Sequence, residues 1–206
     1  MFKTFRNAWK VPELRNKILY TLLAILIFRI GCHVPVPFMD PEAVQSMFAE
    51  GNFLSYMNIL SGGALSQGTL FSLSIQPYIN ASIIVQLLTY ALPPLENLQK
   101  EGESGRKKLQ RITSFVSLGI ALVMAYAYYL TLRNNHALNY TSGFAGVFTG
   151  TVIVLAFAAG ASLVVWLGNR VNEKGIGNGI SIILFAGIVS RGPGAIINMF
   201  INAHEN

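Results

Sequence analysis

Apolar positions in this chain gather into long blocks separated by short clusters of charge. Five blocks stand out, at residues 18–36, 70–92, 112–132, 148–168 and 176–190. About 20 apolar residues carry a helix across the hydrocarbon core of a bilayer, and four of the blocks reach that length. The fifth is the shortest, and it runs into Arg191-Gly192-Pro193-Gly194. A helix continuing there would kink, because proline removes a backbone donor. The 112–132 block is free of charge, whereas the first is interrupted by Arg29 and His33 and the second holds Gln76, Pro77, Asn80 and Gln86. The pattern predicts an all-α membrane protein of five transmembrane helices.

One stretch does not fit a plain span. From Gly51 to Leu95, 45 consecutive residues carry no formal charge, more than twice one crossing. Its middle, SGGALSQGT at residues 61–69, is too small and polar to face lipid. Irregular backbone is tolerated at membrane depth only where protein or water surrounds it. A re-entrant segment lining a cavity is therefore expected over residues 53–69, which implies a pathway rather than a simple anchor.

Composition agrees with a membrane protein. Of 206 residues, 52% are hydrophobic and only 12% charged, with mean hydropathy +0.49. Soluble domains carry roughly 25% charged residues. The basic start (Lys3, Arg6, Lys10, Arg15, Lys17) leads into an apolar run too long for a signal peptide, without an obvious small-residue cleavage site. Cys32 is the only cysteine, so no internal disulfide is expected.

Charge distribution sets the orientation. With the N-terminus cytoplasmic, 12 of the 15 Lys and Arg residues face inward: the five at the start, Lys100, Arg106, Lys107, Lys108 and Arg111 in the 96–111 loop, and Arg170 and Lys174 after the fourth block. Arg133 and Arg191 fall outside. This asymmetry explains the net charge of +6 without nucleic acid. Arg29 lies within the first block, where it either snorkels to the outer interface or pairs with another helix.

Catalytic chemistry finds no footing. His33, His136 and His204 share no ligand spacing with one another or with Cys32, and no acidic pair or serine–base arrangement occurs. GIGNG at residues 175–179 contains no GxGxxG and follows no strand, so it reads as the turn that starts a helix. No cofactor is expected. A secondary transporter also suits interrupted helices, but it requires polar or acidic groups within the spans, and none of the nine Asp and Glu residues falls there.

Several blocks together resemble the SecY family of channel subunits of bacterial protein translocation. They are FRIGCHVPVP at 28–37, SGGALS at 61–66, PYINASIIVQLL at 77–88, KEGESGRKKLQ at 100–110 and WLGNRVNEKGIGNGISIILFAGIV at 166–189. Family members have ten transmembrane helices in two halves related by a pseudo-two-fold axis in the membrane plane. This chain resembles the first half only, and alone it is not expected to form a working pore.

The resemblance implies roles for particular residues. Ile75 and Ile79, four apart and so on one helical face, match positions in a ring of apolar side chains at the channel's narrowest point. Ile180 and Leu184 match the fifth helix's share of that ring, although relatives often carry isoleucine where Leu184 stands. Ser61, Gly62, Gly63, Ala64 and Leu65 match the plug, and Gly62-Gly63 permits positive φ at a hinge. Asn80, Ile83, Ile84 and Leu87, at spacing 0, 3, 4, 7, match a lateral gate facing a helix of the other half. Arg106, Lys107 and Lys108 match a cytosolic contact for the SecA motor or the ribosome. SecE and SecG are the implied membrane partners, and signal sequences and nascent polypeptides the implied cargo. The implied location is the bacterial inner membrane, with passage across it or laterally into the lipid bilayer.

Overall fold

The computed structural model describes residues 11–48 and 53–190. Lys3, Arg6, Lys10, Glu50, Arg191, His204 and Glu205 lie outside them. Helix α1, Pro12–Gly31, starts on a proline whose missing N–H needs no helical partner. The apolar block continues to residue 36, but the helix does not. His33 to Pro37 hold two prolines, each of which pushes the residue before it toward extended backbone. There the chain forms isolated bridges, Pro35 to Thr69 and Met39 to Leu138, and the described residues contain no strand. Helix α2, Pro41–Ser46, is capped by Asp40, which accepts from the amides of Glu42 at 3.0 Å and Ala43 at 3.4 Å.

Helix α3, Phe53–Leu60, leads into consecutive turns, and helix resumes only at α4, Gln76–Ala91. The apolar block at 70–92 is thus helical for its later part only. The backbone explains this, since Gly62, Gly63, Gly68 and Ser74 all take positive φ (66°, 91°, 57° and 47°), which interrupts a right-handed helix. Helix α4 ends where Leu92, preceding Pro93, is driven to extended angles (φ −115°, ψ 114°). Helix α5, Pro93–Lys100, follows at 100° to α4.

The polar stretch 96–111 is mostly helical rather than loop. Its break is Glu101-Gly102, with Gly102 at φ 73°, and helix α6 begins at Glu103 and runs to Asn134. Helices α6 and α7, Gly143–Lys174, have 32 residues each, about 48 Å, and both overshoot the roughly 30 Å hydrocarbon core. Both are long and apolar enough to cross a membrane, and α4 with α5 makes a third if the bent pair is counted as one span. Helix α8, Gly179–Val189, is capped by Asn178, which accepts from the amides of Ile180 (3.1 Å) and Ser181 (3.3 Å). GIGNG is the turn that starts this helix.

Helix α7 is central and packs against α1, α6 and α8, while α4 lies on α6 and α3 on α8. Small residues permit the closest approaches. Gly150 faces the Tyr129 ring, and Gly160 faces the backbone carbonyl of Leu70. Two apolar clusters result. One joins α6 and α7 with the 36–44 and 137–138 segments around Phe157 and Leu132. The other joins α1, α7 and α8 with the turns before α4, around Phe28, Phe71 and Ile75. Thr21 ties α1 to the turn before α8 by accepting from the Ile176 amide at 3.1 Å.

Candidate functional site

Helices α4 and α8 do not close on one another along their length. Between them and the first turns of α6 opens a cleft of about 820 Å³, whose walls include Ile79, Ser82, Arg106, Gln110, Asn178 and Ile180. Its walls are mostly polar, with Ile79 and Ile180 among them.

Behind those two stand the other expected ring residues. Ile75 is 1% exposed and is the N-cap of α4, and the Ile79 amide donates to its carbonyl at 3.0 Å. Ile75, Ile79, Ile180 and Leu184 all belong to the second apolar cluster, although they come from segments a hundred residues apart. Going deeper, α4 presents Ile79 then Ile75, while α8, running the opposite way, presents Ile180 then Leu184. Each step is about 6 Å of helix. The structure thus packs four branched aliphatic side chains into one apolar cluster, two of which, Ile79 and Ile180, also line the polar cleft.

The residues expected to form the plug sit beyond that level. Ser61, Gly63, Ala64 and Leu65 are buried and Gly62 is half-buried. Ala64 joins the cluster that holds Ile75, and Leu65 joins the other, so the 61–65 turn lies between the two cores. Its polar groups are satisfied internally. Asn58 Oδ1 accepts from the Ser66 amide (3.0 Å), Ser61 Oγ from the Leu65 amide (3.1 Å), and Ala64 O from the Ser72 hydroxyl (3.0 Å). One long-range bond holds it from α6, where the Tyr128 hydroxyl donates to Leu65 O at 2.9 Å. Asn58, Ser72 and Tyr128 carry no special spacing, which is why sequence reasoning missed them.

Asn80, Ile83, Ile84 and Leu87 form an outward stripe on α4. The last three are 51%, 44% and 64% exposed, and only Met124 approaches Asn80, its sulfur 3.9 Å from Nδ2. The structure does not keep the three basic residues on one surface. Arg106 lines the cleft, whereas Lys107 lines a neighbouring groove and pairs with Glu103 at 3.4 Å. Lys108 pairs with Glu101 at 2.9 Å. Exposed pairs of this kind contribute little stability and open readily to a competing partner.

Arg29 is half-buried near the far end of α1, and its Nη1 donates to Ser190 Oγ at 3.0 Å. An arginine at a span centre costs about 2.5–3.5 kcal/mol, and pairing with a hydroxyl lowers that cost. This resolves the choice between snorkelling and pairing in favour of a contact between helices. Among the described residues, no group of three or more His, Cys, Asp or Glu side chains is placed to hold a metal ion.

Comparison with known proteins gives this geometry a family. The SecY family model matches residues 69–206, two-thirds of the chain. The chain belongs to the SecY family. It is 40% identical to the protein translocase subunit SecY of Thermotoga maritima, a match covering 98% of this chain and 48% of that protein. With the SecY of Pseudomonas aeruginosa it shares 43% identity (95% and 44% covered), and with that of Bacillus subtilis 42% (95% and 45%). The chain spans about half the length of the curated relatives it matches. Among solved structures, Sec61 in the canine ribosome–channel complex aligns with TM-score 0.60 at 20% identity, over 86% of this chain and 36% of that one. A structure of a protein-conducting channel aligns with TM-score 0.59 at the same identity and coverage. At that identity these two establish the fold, that of a multi-pass membrane protein. In this chain the FRIG, GESGRKK and GIGNGIS blocks fall at helix ends: the last turn of α1, the start of α6 and the cap of α8.

Proposed function

We propose that this chain forms the N-terminal half of a protein-conducting channel subunit in the bacterial inner membrane. In this reading it has five spans, with the N-terminus in the cytoplasm. The convergence of Ile75, Ile79, Ile180 and Leu184 in one apolar cluster that borders a polar cleft carries the proposal. Branched aliphatic side chains at a constriction resist water and ions by dewetting, yet deform around a passing chain. The 61–65 turn serves as the plug beyond this ring. The Asn80, Ile83, Ile84 and Leu87 stripe serves as one lip of the lateral gate, through which signal sequences reach lipid. SecE and SecG are the membrane partners in this reading, and SecA or the ribosome supplies the energy. The first helical turn of α6, through Arg106, receives that partner, because Arg106 lines the cleft. No carboxylate lines the cleft, so it lacks the acidic group with which a transporter would bind a coupling cation.

A chimaera joining residues 1–206 to the C-terminal half of a SecY relative tests the proposal. Membrane-inserted chimaera is expected to restore secretion in bacteria depleted of their own SecY. Inserted chimaera that leaves secretory precursors unprocessed would contradict it.

A further inference from the structure

Three elements distant in sequence meet at Arg29. Its Nη1 donates to Ser190 Oγ at 3.0 Å, and that hydroxyl in turn donates to Gly187 O at 2.6 Å, both at the end of α8. Gly62 completes the junction. A Cβ placed on Gly62 would stand 3.2 Å from Arg29 Nη1, 2.9 Å from Gly187 O and 3.1 Å from Gly187 Cα. At Gly62 the turn therefore meets, with no side chain between, a notch with two walls, one from α1 and one from α8. Arg29 lies in the last turn of α1, where a cation gains from the helix dipole. That gain requires neither the Ser190 bond nor the apposition to Gly62.

We propose that Arg29 is a positioning residue for the plug: its bond to Ser190 holds the α1 and α8 walls together around Gly62, and breaking the bond loosens the turn, leaving it held from α6 by the Tyr128 hydroxyl on Leu65 O. The inference rests on the reading of residues 61–65 as the plug. Its logic is geometric. Leu184 lies under two turns before Ser190, the C-cap of the same helix, so movement of α8 away from α1 that widens the ring also stretches the Arg29 bond. Ring opening and plug loosening are then one event. The turn keeps a tether when loosened, because the Leu70 amide donates to Val34 O (2.9 Å) and the Val36 amide to Gly68 O (3.0 Å). These bonds fasten its C-terminal side to the segment following α1.

The test uses the full-length chimaera with its partner subunits in proteoliposomes, reading resting anion leak. Deleting residues 61–65 sets the open-plug level. Arg29→Gln and Ser190→Ala are each expected to raise the leak roughly tenfold, the scale of one hydrogen bond to a charged group. The double variant should leak no more than the leakier single, because both remove one bond. Arg29→Lys, which keeps charge and donor, should restore most of the seal. Ser190→Ala guards against a folding defect in Arg29→Gln. If the deletion leaks but the singles seal like the parent, the latch is wrong and the plug reading stands. Leaks that multiply in the double variant also overturn the latch. If the deletion itself stays sealed, the plug reading falls, and the latch with it.

Discussion

Replacing Ile79 and Ile180 together by asparagine is expected to make the assembled channel leak ions at rest. Both side chains are half-buried where the polar cleft meets the aliphatic cluster. Burying one isoleucine contributes roughly 1.5–3 kcal/mol of hydrophobic free energy. Two amides at this level would let water wet the constriction, so resting conductance should rise on the order of tenfold to a hundredfold. Folding should suffer much less than from a change at Ile75, because neither position is fully enclosed. Val123→Asn on α6 is the control, being 70% exposed and remote from the cleft. Ion flux from proteoliposomes reads the difference, and a double variant as tight as the parent would remove these residues from the barrier.

A second large effect is expected at Gly160, through packing rather than pore polarity. No side chain separates α7 from the turns before α4 here, since a Cβ on Gly160 would collide with the Leu70 carbonyl. A backbone carbonyl cannot rotate aside as a flexible side chain does. Gly160→Ala must therefore push residues 70–75 away from α7, at a cost of about 3 kcal/mol, the upper range for overpacking. Ile75 would move with them, so function should fall along with stability. Gly119→Ala on α6 is the matched comparison. It meets open space, and alanine gains up to about 1 kcal/mol over glycine in a helix. Thermal unfolding in detergent should thus separate the two substitutions in sign as well as size. Equal unfolding temperatures would mean that α7 and the 70–75 turns are not in close contact.

Much of this architecture is legible in the pattern of charge. The 112–132 and 148–168 blocks mark α6 and α7 because hydropathy reports the part of a helix that meets lipid. The same signal says nothing of helix in water, which is why α6 begins nine residues earlier, at Glu103, within a stretch that reads as polar loop. It also fails at 70–75, where the residues are apolar but bonded in turns. Pro77, in the first turn of α4, marks where helix can begin, as its place in the sequence suggests, but serine gives no such advance sign of the positive φ at Ser74. Glycine does, and Gly62 and Gly63 adopt the positive φ that their pairing suggested. Side-chain partners across the fold follow a different rule. That Ile75 and Ile79 share a face follows from a spacing of four. That Ile180 meets Ile79, or Ser190 meets Arg29, depends on how α8 folds back, and no local spacing encodes it.

The most direct test of a protein-conducting pore is site-specific crosslinking from its wall. A photoreactive residue at Ile79, in the full-length chimaera, would be illuminated beside an arrested secretory chain in transit, with Val123 as the outward-facing control. Crosslinks to the nascent chain from Ile79 and not from Val123 are the predicted result. Crosslinks from Ile79 only to lipid or to neighbouring helices would contradict the account.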